Sequence, residues 1–285
     1  MQISRLAIRI HRTEDNMRRK LSLIEVQDKL FDMMCYVDDF CAKHQIKYYM
    51  LGGTALGARR HEGFIPWDDD IDIGMLREDY EKFISLAHKL EGDFVFKNYR
   101  NDKRCDSVIT RMYFLNTEIE NPAIEHPWFD KRMYFDVFPL DYVPSEATKQ
   151  EKQKDTLIRL KQLIWWSMPF RHTSSMLKRT VANIIHTCLR PLHNVFLKKM
   201  DQVMATYNKD EACGICSMAS QYTYDRQLMA IEVYGEPVKY KFRDKEFYGP
   251  EKIDTYLEQL FGPDYMQIPP VEKRRMGFSI YENKC

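Results

Sequence analysis

Apolar residues recur every three or four positions through Leu23, Val26, Leu30, Met33, Val37 and Phe40. That is the spacing of one buried helix face, and it predicts a helix from Asp15 to about His44. Lys47 to Leu51 is short and β-prone and stops at Gly52-Gly53, after which Thr54 can cap a brief helix through Ala58. Ile71 and Ile73 alternate with Asp70 and Asp72, as in a strand with one apolar and one acidic face. An amphipathic helix follows from Glu78 to Leu90, and Phe94 to Phe96, Ile109 to Leu115 and Arg132 to Phe138 read as further strands. After Pro144 strand signals stop, and helical patterns run from about Glu146 to Trp166 and from Ser174 to Tyr207. The tail from Tyr234 is studded with glycine and proline and is expected to wrap over the core. The order predicts an α/β (α+β) protein. Residues 1–144 form a mixed β-sheet flanked by helices, 145–233 a helical annex, and 234–285 a segment that packs back on the core.

Composition narrows the class. With 44% hydrophobic and 30% charged residues among 285, the chain is globular rather than disordered, collagen-like or coiled-coil. Forty-three Lys and Arg against 42 Asp and Glu leave a net charge of +1, so bulk charge gives no argument for nucleic acid. The distribution is uneven: between Ser145 and Met200 eleven Lys and Arg face three acids, which makes the annex basic. Seven scattered cysteines disfavour a disulfide framework and fit a reducing cytosol. Charges interrupt Met1 to Arg12, and nowhere do eighteen apolar residues run together, so neither a signal peptide nor a membrane span is expected.

The chemistry concentrates in Leu51 to Met75, LGGTALGARRHEGFIPWDDDIDIGM, where five glycines and four aspartates fall within 25 residues. Two positions apart in a strand, Asp70 and Asp72 project from one face with carboxylates close enough to share a divalent cation. Hard oxygen ligands suit Mg²⁺ or Mn²⁺. Without a cation the two would repel and one pKa would rise; with one, the penalty disappears and phosphate oxygens can be bridged. Gly52 and Gly53 lie between a strand and a helix start, where missing side chains let backbone N–H groups approach a phosphate. A calcium loop is the competing reading of Asp68, Asp70, Asp72 and Asp79, but its sixth position needs glycine and holds Ile73.

The glycine turn followed by Asp70-Ile71-Asp72-Ile73 resembles the signature of the nucleotidyltransferase fold. GGTALGARRHEGFIPWDDDIDIGMLREDYEKF, from Gly52, is similar to the defining block of the LicD family of phosphocholine transferases, whose distant animal relatives are the fukutin-related sugar-phosphate transferases. Tyr134 to Asp141, YFDVFPLD, and Tyr256 to Pro270, YLEQLFGPDYMQIPP, resemble the family's second and carboxy-terminal motifs. The resemblance spans about Leu21 to Arg275. Sixteen residues separate Gly53 from Asp70, a longer spacer than the broader nucleotidyltransferase pattern, and the basic annex matches none of these motifs.

The resemblance implies a nucleotidyltransferase-like sheet with metal ligands at Asp70 and Asp72 and a third carboxylate at Asp136. Asp136 completes the metal site or accepts the proton of an attacking hydroxyl, and Asp68 is a further candidate ligand. It also implies a donor held at Gly52, Gly53 and Thr54. Phosphodiester transfer needs positive charge where oxyanions develop, and Arg60, His61 and Arg111, with Lys273 and Arg274 from the tail, are the nearest donors. The implied reaction is Mg²⁺-dependent transfer of phosphocholine, or a related phospho-alcohol, from CDP-choline or another CDP-alcohol to a hydroxyl of a cell-surface glycan or its lipid-linked precursor. Two other readings stand beside it: transfer of a nucleoside monophosphate from an NTP, and a catalytically silent nucleotide- or glycan-binding protein.

Some features read as structural. Cys213-Gly-Ile-Cys216 has the spacing of a zinc or redox hook, but no second pair accompanies it, which favours core packing. His126 is expected to be structural. Leu163 to Phe170 with its basic flanks is either core or a peripheral contact with the inner face of a membrane.

Overall fold

A computed structural model describes residues 18–121, 126–169, 176–209, 211–274 and 277–283. The stretch Met1 to Arg12, Phe170 and the predicted helix start at Ser174 lie outside them. The first helix, α1, spans Leu23–His44. It begins eight residues later than the periodicity predicts, because Arg18–Lys20 (β1) is drawn into antiparallel pairing with Ser279–Asn283 (β12). Ser22 closes the start: its Oγ accepts the Glu25 N–H at 3.3 Å and Glu25 accepts the Ser22 N–H at 2.8 Å. This reciprocal cap satisfies two otherwise orphaned donors. Ser22→Ala is expected to cost about 1 kcal/mol, read as a drop of roughly 2–4 °C in Tm.

The main sheet has the order β2-β3-β7-β5-β4, from Tyr49–Met50 (β2), Asp72–Leu76 (β3), Phe94–Lys97 (β4), Thr110–Phe114 (β5) and Tyr134–Pro144 (β7). β3 runs parallel to β7 and the other pairs are antiparallel, so the sheet is mixed as expected. Thr117–Glu120 (β6), which the sequence pattern did not separate from its neighbours, pairs with β12 in a small second sheet. Helices Gly52–His61 (α2) and Arg77–Leu86 (α3) flank the main sheet, and Ile71, Ile73, Met75, Val137 and Leu140 are buried in the core with the apolar face of α1.

Strands do not stop at Pro144. Ala212–Cys216 (β8) pairs with the last four residues of β7, and Leu228–Ala230 (β9) pairs with β8. The sequence hides them because ACGIC is short and lacks polar alternation. The CxxC spacing thereby falls on a sheet strand, with Cys216 buried and Cys213 exposed, both as free thiols.

Helices Ala147–Ser167 (α4), Met176–Leu189 (α5) and His193–Met204 (α6) form the annex; the long second pattern divides around a 3-10 turn carrying Pro191. Leu157, Leu160 and Ile164 of α4 and Leu197, Met200 and Met204 of α6 share one buried cluster with Val143 of β7 and Cys216 of β8. The annex is therefore joined to the sheet by a common core. Beyond it come a hairpin of Val238–Phe242 (β10) and Lys245–Gly249 (β11) and helix Ile253–Phe261 (α7), whose Tyr256, Leu257 and Leu260 enter the main core. Among the described residues no helix is long and apolar enough to cross a membrane.

Candidate active site

The parallel pairing of β3 with β7 sets Asp72 directly beside Asp136, and the antiparallel pairing of β5 with β7 sets Arg111 beside Asp136. Partners in register project from the same face of a sheet. Asp72, Asp136 and Arg111 thus form one row across three strands. The row lies in a cleft of about 260 Å³ that Asp70, Gly52, Tyr134, Tyr256 and the segment 217–227 also line. Arg111 donates from Nε to Asp136 Oδ1 at 3.0 Å and from Nη1 to Asp106 Oδ1 at 2.6 Å, with its guanidinium 4.7 Å from the Tyr134 ring centre.

Asp70 is not in a strand, since β3 begins only at Asp72. The chain before it still runs along β7, because Ile71 O accepts the Asp136 N–H at 3.1 Å. Thr54 is not a helix cap: α2 starts at Gly52, and Thr54 is buried, accepting the Asp72 N–H on Oγ1 at 2.9 Å. It fixes the first residue of β3. Thr54→Val should therefore lower stability by about 1–2 kcal/mol, measured by urea unfolding, because it leaves a buried N–H without a partner. Gly52 adopts φ +49°, a conformation that favours glycine, and its N–H donates to the Tyr256 hydroxyl at 3.0 Å.

The remaining predicted residues lie elsewhere. Asp68 does not line the cleft: a Cβ on Gly53 would sit 2.8 Å from Asp68 Oδ2, which puts that carboxylate against the first turn of α2. Asp69 points away and accepts the Phe278 N–H at 2.9 Å. Arg60 is turned to the tail, donating to the carbonyls of Tyr265 at 2.7 Å and Gln267 at 3.1 Å, while His61 meets the Arg60 Nε and the edge of Trp67. Arg274 lies over Trp67, 4.4 Å from its ring centre, and Lys273 is exposed on a 3-10 turn. None of Arg60, His61, Lys273, Arg274, Gly53 or Thr54 lines the cleft.

The electrostatics are one-sided. Burial, then the charges of Asp70, Asp136 and Asp68, push the Asp72 pKa well above the usual carboxylate value. Asp70 keeps an accessible surface although protein crowds it, and burial, Asp68, Asp69 and Asp136 raise it too. Burial pushes Asp136 up to about 6 against the opposing pull of Arg111, and burial with the Asp69 charge pushes Asp68 to about 6. The Arg111 charge is already shared between Asp106 and Asp136. Among the described residues Asp70 and Asp72 form no ion pair of their own, which is the electrostatic setting of a metal-bearing carboxylate pair. Among the described residues no group of three His, Cys, Asp or Glu is gathered tightly enough to hold an ion. A cation at this pair would have to take its other ligands from water or substrate, as Mg²⁺ commonly does.

Residues 45–184 match the family model described as the LicD/FKTN/FKRP nucleotidyltransferase domain. The chain is a LicD-domain protein. It is 25% identical over 262 residues to the lipopolysaccharide cholinephosphotransferase LicD of Haemophilus influenzae, covering 90% of this chain and 96% of that one. It is 48% identical over 118 residues to an uncharacterized Rickettsia prowazekii protein, 37% of this chain and 44% of that one. It is also 50% identical over 34 residues to the human ribitol 5-phosphate transferase FKRP, 12% of this chain and 7% of that one. The LicD domain model holds all three members of the Asp72, Asp136, Arg111 row; the wall from Ser217 to Gln227 and Tyr256 come from outside it. No motif in the sequence marks that wall. Tyr134 and Tyr256 each open a quoted motif block, yet their place in the cleft follows only from the register of β7 and the packing of α7.

Proposed function

We propose that this LicD-type phosphotransferase moves phosphocholine or a related phospho-alcohol from a CDP-activated donor to a hydroxyl of a glycan or lipid-linked glycan. The observation that carries the reading is the row of Asp72, Asp136 and Arg111 on one sheet face, with Asp70 lining the same cleft. The names of the bacterial and animal relatives, a cholinephosphotransferase and a ribitol 5-phosphate transferase, agree with phospho-alcohol transfer.

Asp70 and Asp72 are the residues that would hold Mg²⁺ or Mn²⁺, which when bound neutralises the pair and the donor diphosphate. Thr54 keeps Asp72 in place through its backbone N–H. Arg111 fixes Asp136 by its Oδ1, leaving Oδ2 to accept the proton of the acceptor hydroxyl as that oxygen attacks phosphorus in line with departing CMP. The Arg111 charge also opposes the negative charge that builds on the transferring phosphoryl oxygens. The annex adds a surface: Ile158, Trp165, Ile184 and Val195 are exposed on its basic helices, which suits peripheral contact with the inner face of a membrane carrying the acceptor.

The test is to incubate the purified protein and Mg²⁺ with CDP-choline, CDP-glycerol and CDP-ribitol separately and to measure thermal protection. One donor is expected to raise Tm, and its alcohol identifies the cargo. Protection by none of the three would refute the CDP-alcohol reading.

A further inference from the structure

The lining of the cleft combines the charged Asp70, Asp72, Asp136 and Arg111 with a neutral wall from the segment after β8, Ser217, Ser220, Gln221, Tyr222 and Gln227. A ligand matching both has a charged phosphate portion and an uncharged, hydrogen-bonding heteroaromatic portion. Two atoms of that wall have no partner among the described residues: Ser217 Oγ and Gln227 Oε1 make no hydrogen bond there, although Ser217 is 2% and Gln227 4% exposed. Leaving a buried polar group unsatisfied costs stability, so such groups ask for a reason.

The wall is otherwise well ordered. Ser220 N–H closes a turn on Ser217 O at 3.1 Å, and Ser220 Oγ accepts the Tyr222 N–H at 3.2 Å and Gln227 Nε2 at 2.9 Å. The bond from Nε2 fixes the orientation of the Gln227 amide, so that what it offers a ligand is an acceptor. The Ser217 hydroxyl is free to donate. An acceptor and a donor lining one cleft complement the cytosine edge, where the exocyclic amine donates and ring N3 accepts. Uracil carries a carbonyl in place of that amine and would set two acceptors against each other.

We propose that Ser217 and Gln227 read the nucleobase of the activated donor and select cytosine over uracil through its exocyclic amine. This rests on the nucleotide-donor reading above and adds to it the two residues that choose the base. Tyr222 also lines the cleft, with the Arg226 guanidinium 4.6 Å from its ring centre.

The experiment is calorimetric titration of CMP and of UMP, each with Mg²⁺, into the wild-type protein, Ser217→Ala and Gln227→Met. Wild type is expected to prefer CMP by about tenfold, and Ser217→Ala to bind CMP about five- to tenfold more weakly. Because the Ser217 hydroxyl has no partner, Ser217→Ala should not lower the Tm of the nucleotide-free protein. Gln227→Met should bring the CMP-to-UMP ratio close to one, and if it does not fold, Ser217→Ala decides alone. Variants that keep the wild-type CMP affinity would overturn the inference, the two atoms then serving ordered water, while donor binding itself would stand. Equal wild-type binding of CMP and UMP would overturn base selection and leave phosphoryl transfer untouched. Failure of wild type to bind either nucleotide would remove the donor reading and this inference with it.

Discussion

Asp72→Asn should abolish transfer, by about 10³-fold or more, while leaving a folded protein that is more heat-stable than wild type in the absence of divalent cation. The two effects share one cause. Asp72 sits among Asp70, Asp136 and Asp68 with little compensating positive charge, and burial adds to the cost of its ionised form. Removing that charge relieves repulsion in the ion-free protein and takes away half of the carboxylate pair offered to a cation. The amide keeps the backbone bond to Thr54, so the strand start is preserved. The pH dependence has a defined sign. For Asp68 and Asp136, both raised to about 6, the folded protein retains a proton that the unfolded chain has lost above about pH 4. Their contribution to stability is favourable at low pH and is lost as pH rises from about 4 to 6. Differential scanning calorimetry of both proteins at pH 5 and pH 7.5 without cation checks this: the advantage of Asp72→Asn should be larger at pH 7.5. A variant less stable than wild type at both values would show that Asp72 is held by partners rather than opposed by neighbours.

The largest loss of stability is expected from Arg77→Met. Arg77, 9% exposed at the start of α3, donates from Nε to Asp141 at 2.7 Å and from Nη1 to Asp201 at 2.7 Å. Asp141 is on β7 and Asp201 on α6, so one guanidinium joins the sheet to the annex. Asp201 also accepts from Tyr99 and Arg100, and Asp141 from Asn208. Methionine keeps the volume but leaves Asp141, with 0% of its surface exposed, without its cation. Breaking a buried ion pair in this way costs about 3–5 kcal/mol, which urea unfolding would register. Burial alone would raise Asp201; the Arg77 charge and the hydrogen bonds outweigh it and hold the pKa low. A depressed carboxyl stabilises the fold above its unfolded pKa and ceases to do so as pH falls through its folded value, so the deficit of the variant should shrink below about pH 4. A loss under 1 kcal/mol would mean that Tyr99, Arg100 and Asn208 suffice for the two carboxylates.

The parts of the site that the sequence shows are those with a local cause. Period marks α1 beyond its start, the β-prone run from Arg132 marks β7, and the Asp70–Asp72 pair marks the acidic lining of the cleft although only Asp72 lies in a strand. Non-local pairing decides the rest. Ile71 still bonds to β7, and the chain before it sets Asp69 against Phe278 and Asp68 against the first turn of α2 instead of in the cleft. Arg60 has the charge of an oxyanion donor, but the tail places carbonyls of Tyr265 and Gln267 within its reach and engages it there. Arg111 is chosen over Arg60 by a strand register that no spacing rule contains. The wall of Ser217 to Gln227 carries no charge, no period and no motif, and it reaches the cleft only because β8 adds to β7.

Asp70 and Asp72 are proposed to hold jointly a divalent cation whose coordination a diphosphate ligand completes. Electron paramagnetic resonance of Mn²⁺ titrated with wild type and Asp72→Asn, each with and without CDP, tests it most directly. Tight Mn²⁺ binding is expected from wild type only when CDP is present, and none from Asp72→Asn under either condition. Equal Mn²⁺ binding by the two proteins in the presence of CDP would contradict it.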